Sequence, residues 1–145
     1  MTSPVVWQHA FKTATQAAQL GGLQVTDALT SAPSVPSGPY WLMEANSSRG
    51  NLTEMGTDIN EENGSIWLHL LAVRGTGTLP ALELVKAMSD TFRKAQRGDY
   101  GPLPEGLVYY TQNDDPADGN QDGNRVRFSL SFDYQYRDKL APAIP

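Results

Sequence analysis

Between Ser65 and Arg97 the spacing of apolar residues changes from a period of two to a period of 3.6. In the first part Ile66, Leu68 and Leu70 share one parity, and Trp67, Leu71 and Val73 share the other. A strand that is apolar on both parities is expected to be covered on both faces and to sit centrally in a sheet. In the second part Ala81, Val85, Met88 and Phe92 recur at i, i+4, i+7 and i+11, with Leu84 beside them. That is the stripe of an amphipathic helix, which must pack back on the sheet. Gly75-Thr76-Gly77-Thr78 lies between the two as the hinge. Thr78 is expected to cap the helix, and Pro80 suits a first turn because its missing N–H has no partner to lose there. Arg93, Lys94 and Arg97 place positive charge at the negative end of the helix dipole, and Gly98 is expected to end it in a left-handed conformation.

The pattern also places the remaining elements. Ser3-Pro4 opens a first helix whose face is Trp7, Phe11, Ala14 and Ala18, and Gly21-Gly22 stops it. Leu23–Val25 reads as a short strand, and the three prolines of Ser31–Pro39 forbid regular structure there. Tyr40–Ala45 is a strand. Residues 46–64 are polar and Gly-rich, with one short strand around Leu52–Met55, and read as a long polar arm leading into the central strand. Gly98–Pro104 is a turn region, Leu107–Thr111 a strand, and Asn113–Asn124 an acidic loop. In the last strand Val126, Phe128, Leu130, Phe132, Tyr134 and Tyr136 alternate with Arg125, Arg127, Ser129, Ser131, Asp133 and Gln135, giving one apolar and one polar face. Residues 138–145 read as a loose tail. The expected fold is a single α+β domain over residues 1–145, with two helices packed on one mainly antiparallel or mixed sheet of four to five strands.

Composition narrows the function classes. The 145 residues are enough for one real core, and 19% charged against 39% hydrophobic is an ordinary globular balance. Cysteine is absent, which removes disulfides and thiolate metal sites. No apolar run approaches the roughly 20 residues that span a bilayer, and the N-terminus lacks the pattern of a signal peptide. A net charge of −5 argues against tight binding to nucleic acid through phosphates, though DNA can pass nearby without sticking.

Each candidate for chemistry has a plainer reading beside it. Gly75–Thr78 sits where a phosphate would meet a helix N-terminus, but neither the lysine of a P-loop nor the third glycine of a dinucleotide fingerprint follows. Asp118-Gly-Asn-Gln-Asp-Gly123 matches the start of a calcium loop, yet Ser129 stands where the bidentate Glu belongs. His9 and His69 are too far apart in sequence to suggest a metal pair, and His69 reads as a packed or interface histidine. Glu61-Glu62 and Asp114-Asp115 read as solvated loop carboxylates, and no serine occupies a nucleophile elbow. Asn46-Ser-Ser, Asn51-Leu-Thr and Asn63-Gly-Ser match the glycosylation pattern as any Asn- and Ser-rich stretch does by chance. The expectation is a protein without catalytic residues, cofactor or metal.

The layout resembles the lambda-type tail terminator family of long-tailed bacteriophages. The resemblance rests on Ser37-Gly-Pro-Tyr-Trp-Leu-Met43, on Gly64-Ser-Ile-Trp-Leu-His-Leu70 followed by Gly75-Thr-Gly77 and a helix ending near Phe92-Arg93, and on the closing strand Asn124–Tyr136. It covers about Tyr40 to Tyr136, although the acidic stretch at 113–123 is longer than the family's. It implies a structural virion protein, made in the host cytoplasm, that forms a hexameric ring on the tail tube, stops tube growth and offers a docking face to the neck. The implied partners are further copies of the chain, the tube protein and the neck or head-completion protein, with DNA passing through the lumen. Two other readings stay open: another ring protein of the tube or neck, and a monomeric ligand-binding domain using the Gly75–Thr78 turn. For a ring, the expected contacts are the arm residues Arg49, Asn51, Glu54, Glu61 and Glu62 against Arg125, Arg127 and Asp133 of the last strand, a salt-sensitive pairing of opposite charges.

Overall fold

The computed structural model describes residues 2–27, 38–47, 51–52, 59–75, 77–121 and 125–139. In chain order the elements are α1 (Pro4–Leu20), β1 (Val25–Asp27), β2 (Tyr40–Ser47), β3 (Asn51–Leu52), β4 (Ile59–Val73), α2 (Thr78–Arg97), β5 (Leu107–Gln121) and β6 (Arg125–Lys139). The strands form one mixed sheet in the order β1-β2-β4-β6-β5, with β3 pairing β4. Among the described strands β1 and β2 pair in parallel and the other pairs are antiparallel. This is the α+β architecture expected from the periodicity.

The change of period at residues 65–97 becomes a central strand and the helix that folds back on it. Register fixes the faces, because directly opposed residues share a side of the sheet. Ile66 faces Phe132, Leu68 faces Leu130, and Leu70 faces Phe128, while Met43 and Trp41 of β2 lie opposite Leu68 and Leu70. These residues form one core cluster with Val6, Ala10 and Ala14 of α1 and Met88 and Phe92 of α2. Both helices therefore lie on one side of the sheet. Phe92 anchors the contact, stacked on Phe132 at 4.2 Å between centroids and edge-on to Tyr109 at 5.7 Å. Burying such a side chain contributes about 1.5–3 kcal/mol.

Helix α1 buries Val6, Ala10, Thr13, Ala14, Ala17 and Ala18. Ala14 and Ala18 of the expected face are buried, Trp7 and Phe11 are half-buried against the core, and Val6, Ala10, Thr13 and Ala17 complete the buried face. Small residues point inward, and Trp7 and Phe11 stack on each other at 6.0 Å along its flank. Alanines allow a closer approach than the aromatics would, so packing outweighs side-chain hydrophobicity in setting the face.

Four expectations are corrected. The polar arm does not reach residue 64: β4 begins at Ile59 and pairs with β6 along its whole length, from Ile59↔Lys139 to Val73↔Arg125. The acidic stretch is not a loop up to Gln121, since β5 continues through it. Pro116 is tolerated there because β5 is an edge strand, and the register shifts between Asp115 and Asp118 and again before Gln121. Asp138 and Lys139 belong to β6 and not to a tail. Thr78 is the first helical residue, and the cap position is Gly77, which makes no side-chain cap bond. Gly98 closes α2 in a left-handed conformation as expected.

The sheet face away from the helices carries the polar parity of β6. Ser129 and Ser131 are nonetheless buried. Ser129 Oγ lies 2.7 Å from His69 Nδ1, and His69 Nε2 lies 3.4 Å from Glu44, a half-exposed carboxylate. Trp67 stacks on the His69 ring at 6.0 Å. Ser65 donates to Asp133 at 2.6 Å. The histidine is packed, as its apolar neighbours in sequence predicted.

Candidate interaction surface

The residues expected at a subunit interface separate along the β4–β6 ladder. Arg49 and Glu54 lie outside the described residues. Asn51 pairs with Glu61 in the β3–β4 register. Glu61 is half-buried and accepts bonds from Gln135 Nε2 and, at 3.4 Å, from Asn63 Nδ2. Arg125 and Arg127 lie at the other end of the ladder, opposite Val73 and Leu71. About 12 residues of strand separate the two groups, roughly 40 Å at the usual strand rise. Arg125 lies over the Tyr40 ring at 4.9 Å and donates to the Gly38 carbonyl at 2.8 Å. Asp133 lies between the groups and is held by Ser65. Within one chain the structure therefore does not bring the acidic and basic groups together.

Glu62 belongs elsewhere. It points to the helix side, is 8% exposed, and lies opposite Tyr136. Its Oε2 accepts from Tyr134 Oη at 2.5 Å and from the Ser3 N–H at 3.1 Å. A carboxylate from β4 thus closes the N-terminus of α1, where the dipole favours negative charge. Burial, and then the bond to Glu62, push the Tyr134 phenol well above its ordinary pKa, so it remains a donor. Gly64 makes room for this arrangement. A Cβ there would lie 2.3 Å from the Asn46 carbonyl and 2.7 Å from Tyr134 Oη. In the sequence Glu62 and Gly64 fall in the stretch expected to be a polar arm. A glycine on the parity of Ile66, Leu68 and Leu70 was the available sign of a close approach within a strand.

The β5 edge went unnoticed in the sequence. Leu107 and Tyr109 are buried, whereas Val108 is 48% and Tyr110 58% exposed. Tyr110 is the residue that the β5–β6 register skips. Between this edge and α2 is a notch of about 190 Å³ lined by Phe92, Arg93, Gln96, Tyr110 and Gln112, among others. Leu107–Tyr110 is apolar on both parities, the pattern of a covered strand, so nothing in the sequence marks it as an edge. Nearby, His9 Nδ1 lies 2.9 Å from Tyr109 Oη. Burial, and then Lys12, hold the His9 imidazole below its usual pKa, and burial raises the Tyr109 phenol far above its own.

The strand-to-helix turn lies beside a concavity of about 320 Å³ lined by Ala72, Arg74, Gly77, Val126 and Phe128, among others. Gly77 adopts φ 92° and ψ 159°, a region essentially confined to glycine. Turn geometry alone accounts for a glycine there. Asp118–Gln121, the start of the calcium-like pattern, is extended strand. Among the described residues no group of three His, Cys, Asp or Glu side chains is placed to hold a metal ion, and no helix is long and apolar enough to cross a membrane. The chain matches no protein-family model and no curated protein.

Proposed function

We propose that this chain is a structural virion protein, a tail terminator that closes the tail tube as a ring of about six copies, by the resemblance described above. The observation that carries the reading is that the central ladder outruns its helix layer. The N-cap of α1, Ser3, reaches the ladder at Glu62, and residues 59–61 and 137–139 continue past it, about 10 Å of strand. Strand β3 adds to that projection, which bears Glu61 and the exposed Arg137 and Asp138. A projecting ribbon of this kind serves a subunit that is completed by its neighbours. Closed rings arise from heterologous contacts, in which one patch meets a different patch on the next copy. In this reading the two patches are the two ends of the ladder, one bearing Glu61 and Asp138 with Arg137 among them and the other bearing Arg125 and Arg127. The net negative charge suits a conduit that lets DNA pass without holding it.

Electron microscopy of the purified protein, with its mass in solution, is the direct test. Closed rings of about six copies are expected. Arg125→Glu with Arg127→Glu is expected to weaken assembly while the monomer stays folded. Removal of residues 48–58 in the virus that encodes the chain is expected to leave overlong tubes without heads. Normal tails joined to heads in that deletion would refute the proposal.

A further inference from the structure

Strand β5 is a sheet edge whose halves differ. Residues 113–121 include Asp114, Asp115, Pro116 and Asp118, and register shifts interrupt their pairing with β6. Charge, proline and bulges are the devices by which an edge avoids being joined by another strand. Residues 107–112 read Leu-Val-Tyr-Tyr-Thr-Gln, with neither charge nor proline. This half has one register shift of its own, at Tyr110, but no charge or proline to repel a strand; it carries the exposed Val108 and Tyr110 and borders the notch under α2. On the rim of the notch the Arg93 side chain is 73% exposed. Its acidic neighbour Asp90 is 4.0 Å away and already holds Lys86 at 2.8 Å, so the three side chains together remain positive.

We propose that Leu107–Gln112 is a strand-addition site for an extended segment of a partner protein whose side chains alternate between apolar and acidic. An added strand lies about 4.8 Å outside β5 and takes its affinity from main-chain hydrogen bonds. Alternation then sends successive side chains to opposite faces of the sheet. One set covers Val108 on the open face. The other enters the notch, where Arg93 forms a charge-assisted bond with a carboxylate. Specificity for an acidic segment comes from Arg93, and the site does not depend on the ring: a monomer presents the same edge.

The test uses the full chain and two synthetic peptides, acetyl-Thr-Val-Glu-Val-Glu-Val-Thr-amide and its counterpart with Lys for each Glu. Binding is read by fluorescence anisotropy, and its location by hydrogen exchange. The glutamate peptide is expected to bind about ten times tighter than the lysine peptide and to slow exchange at the amides of 107–112. Arg93→Glu, an exposed change that leaves the melting temperature nearly unaltered, is expected to reverse the preference. Absence of binding up to about 1 mM, equal affinity for both peptides, or protection elsewhere in the chain would overturn the proposal. Protection of the same amides that grows with protein concentration alone would also overturn it, because the occupant would then be a second copy.

Discussion

Replacing Gly64 with Ala tests the clasp between β4, β6 and α1, and the structure and simple propensity disagree on the sign. Alanine in place of an interior strand glycine ordinarily gains about 0.4–1 kcal/mol by restricting the unfolded chain. At Gly64 the new methyl would meet the Asn46 carbonyl at 2.3 Å, Tyr134 Oη at 2.7 Å and Ser47 Cα at 2.8 Å. Two of these are backbone atoms of β2, so the strand must move, an overpacking cost of about 1–3 kcal/mol. Displacing Tyr134 also breaks its bond to the Glu62 carboxylate, worth about 1.5–3 kcal/mol. The expected net loss is about 1.5–5.5 kcal/mol, or roughly 3–20 °C in melting temperature for a chain of this size. Urea unfolding of the wild type, Gly64→Ala, Tyr134→Phe and the double variant measures it. Tyr134→Phe already lacks the hydroxyl, so the double variant should cost less than the sum by about 1.5–3 kcal/mol. A loss below about 0.5 kcal/mol, or strict additivity of the two changes, would refute the clasp.

Gly77→Ala is expected to destabilise by about 1–3 kcal/mol, because no L side chain rests at that backbone conformation; unchanged stability, or protection of 75–78 from exchange by millimolar phosphate, would contradict the reading of the turn as structural. His9 predicts a pH dependence. Its folded pKa is depressed, so at pH above the unfolded value of about 6.5 neither state is charged and its contribution is complete. Below that pH the unfolded chain takes up a proton that the folded one resists, so stability falls until the folded pKa is passed. Unfolding free energies at pH 7.5 and 5.5 should therefore differ more in the wild type than in His9→Gln, and equal slopes would reject the argument. Millimolar calcium is expected to leave the melting temperature unchanged, because Asp118–Gln121 is strand and Ser129 replaces the bidentate ligand; a rise of several degrees that disappears in Asp118→Ala would show the opposite.

The sequence announced the fold most clearly where apolar residues repeat. The central strand, α2 and the apolar parity of β6 follow directly from that spacing, because burial of one stripe or one parity leaves few alternatives. The ends of the long strands were not legible. Asn60-Glu-Glu-Asn-Gly64 and Asn113–Gln121 are rich in residues that disfavour strands, and here pairing in the ladder outweighs propensity. Glu61 and Glu62 find partners across the ladder in Gln135 and Tyr134. On β4 such pairings connect residues more than seventy positions apart, which no local pattern encodes, whereas Asn113–Gln121 pairs with the strand that follows it at once.

The same distance explains what could be read of the candidate surfaces. Arg125 and Arg127 were visible as the polar parity of a regular strand, and they do lie on the sheet face opposite the helices. Glu62 was misplaced because a carboxylate in a polar stretch looks solvated until its partner is known. That partner, Tyr134, was itself assigned to the apolar face. A tyrosine on a buried parity needs a bond for its hydroxyl, and a glycine on the same parity of the neighbouring strand gives the hydroxyl its path. Tyr134 lies directly opposite Gly64, which leaves the phenol free to reach Glu62, two residues along the same parity of β4. The exposed edge at Val108 and Tyr110 depended on strand order. Val108 lies on the face opposite the helices and Tyr110 at a register shift, and at the end of the sheet no further strand flanks them.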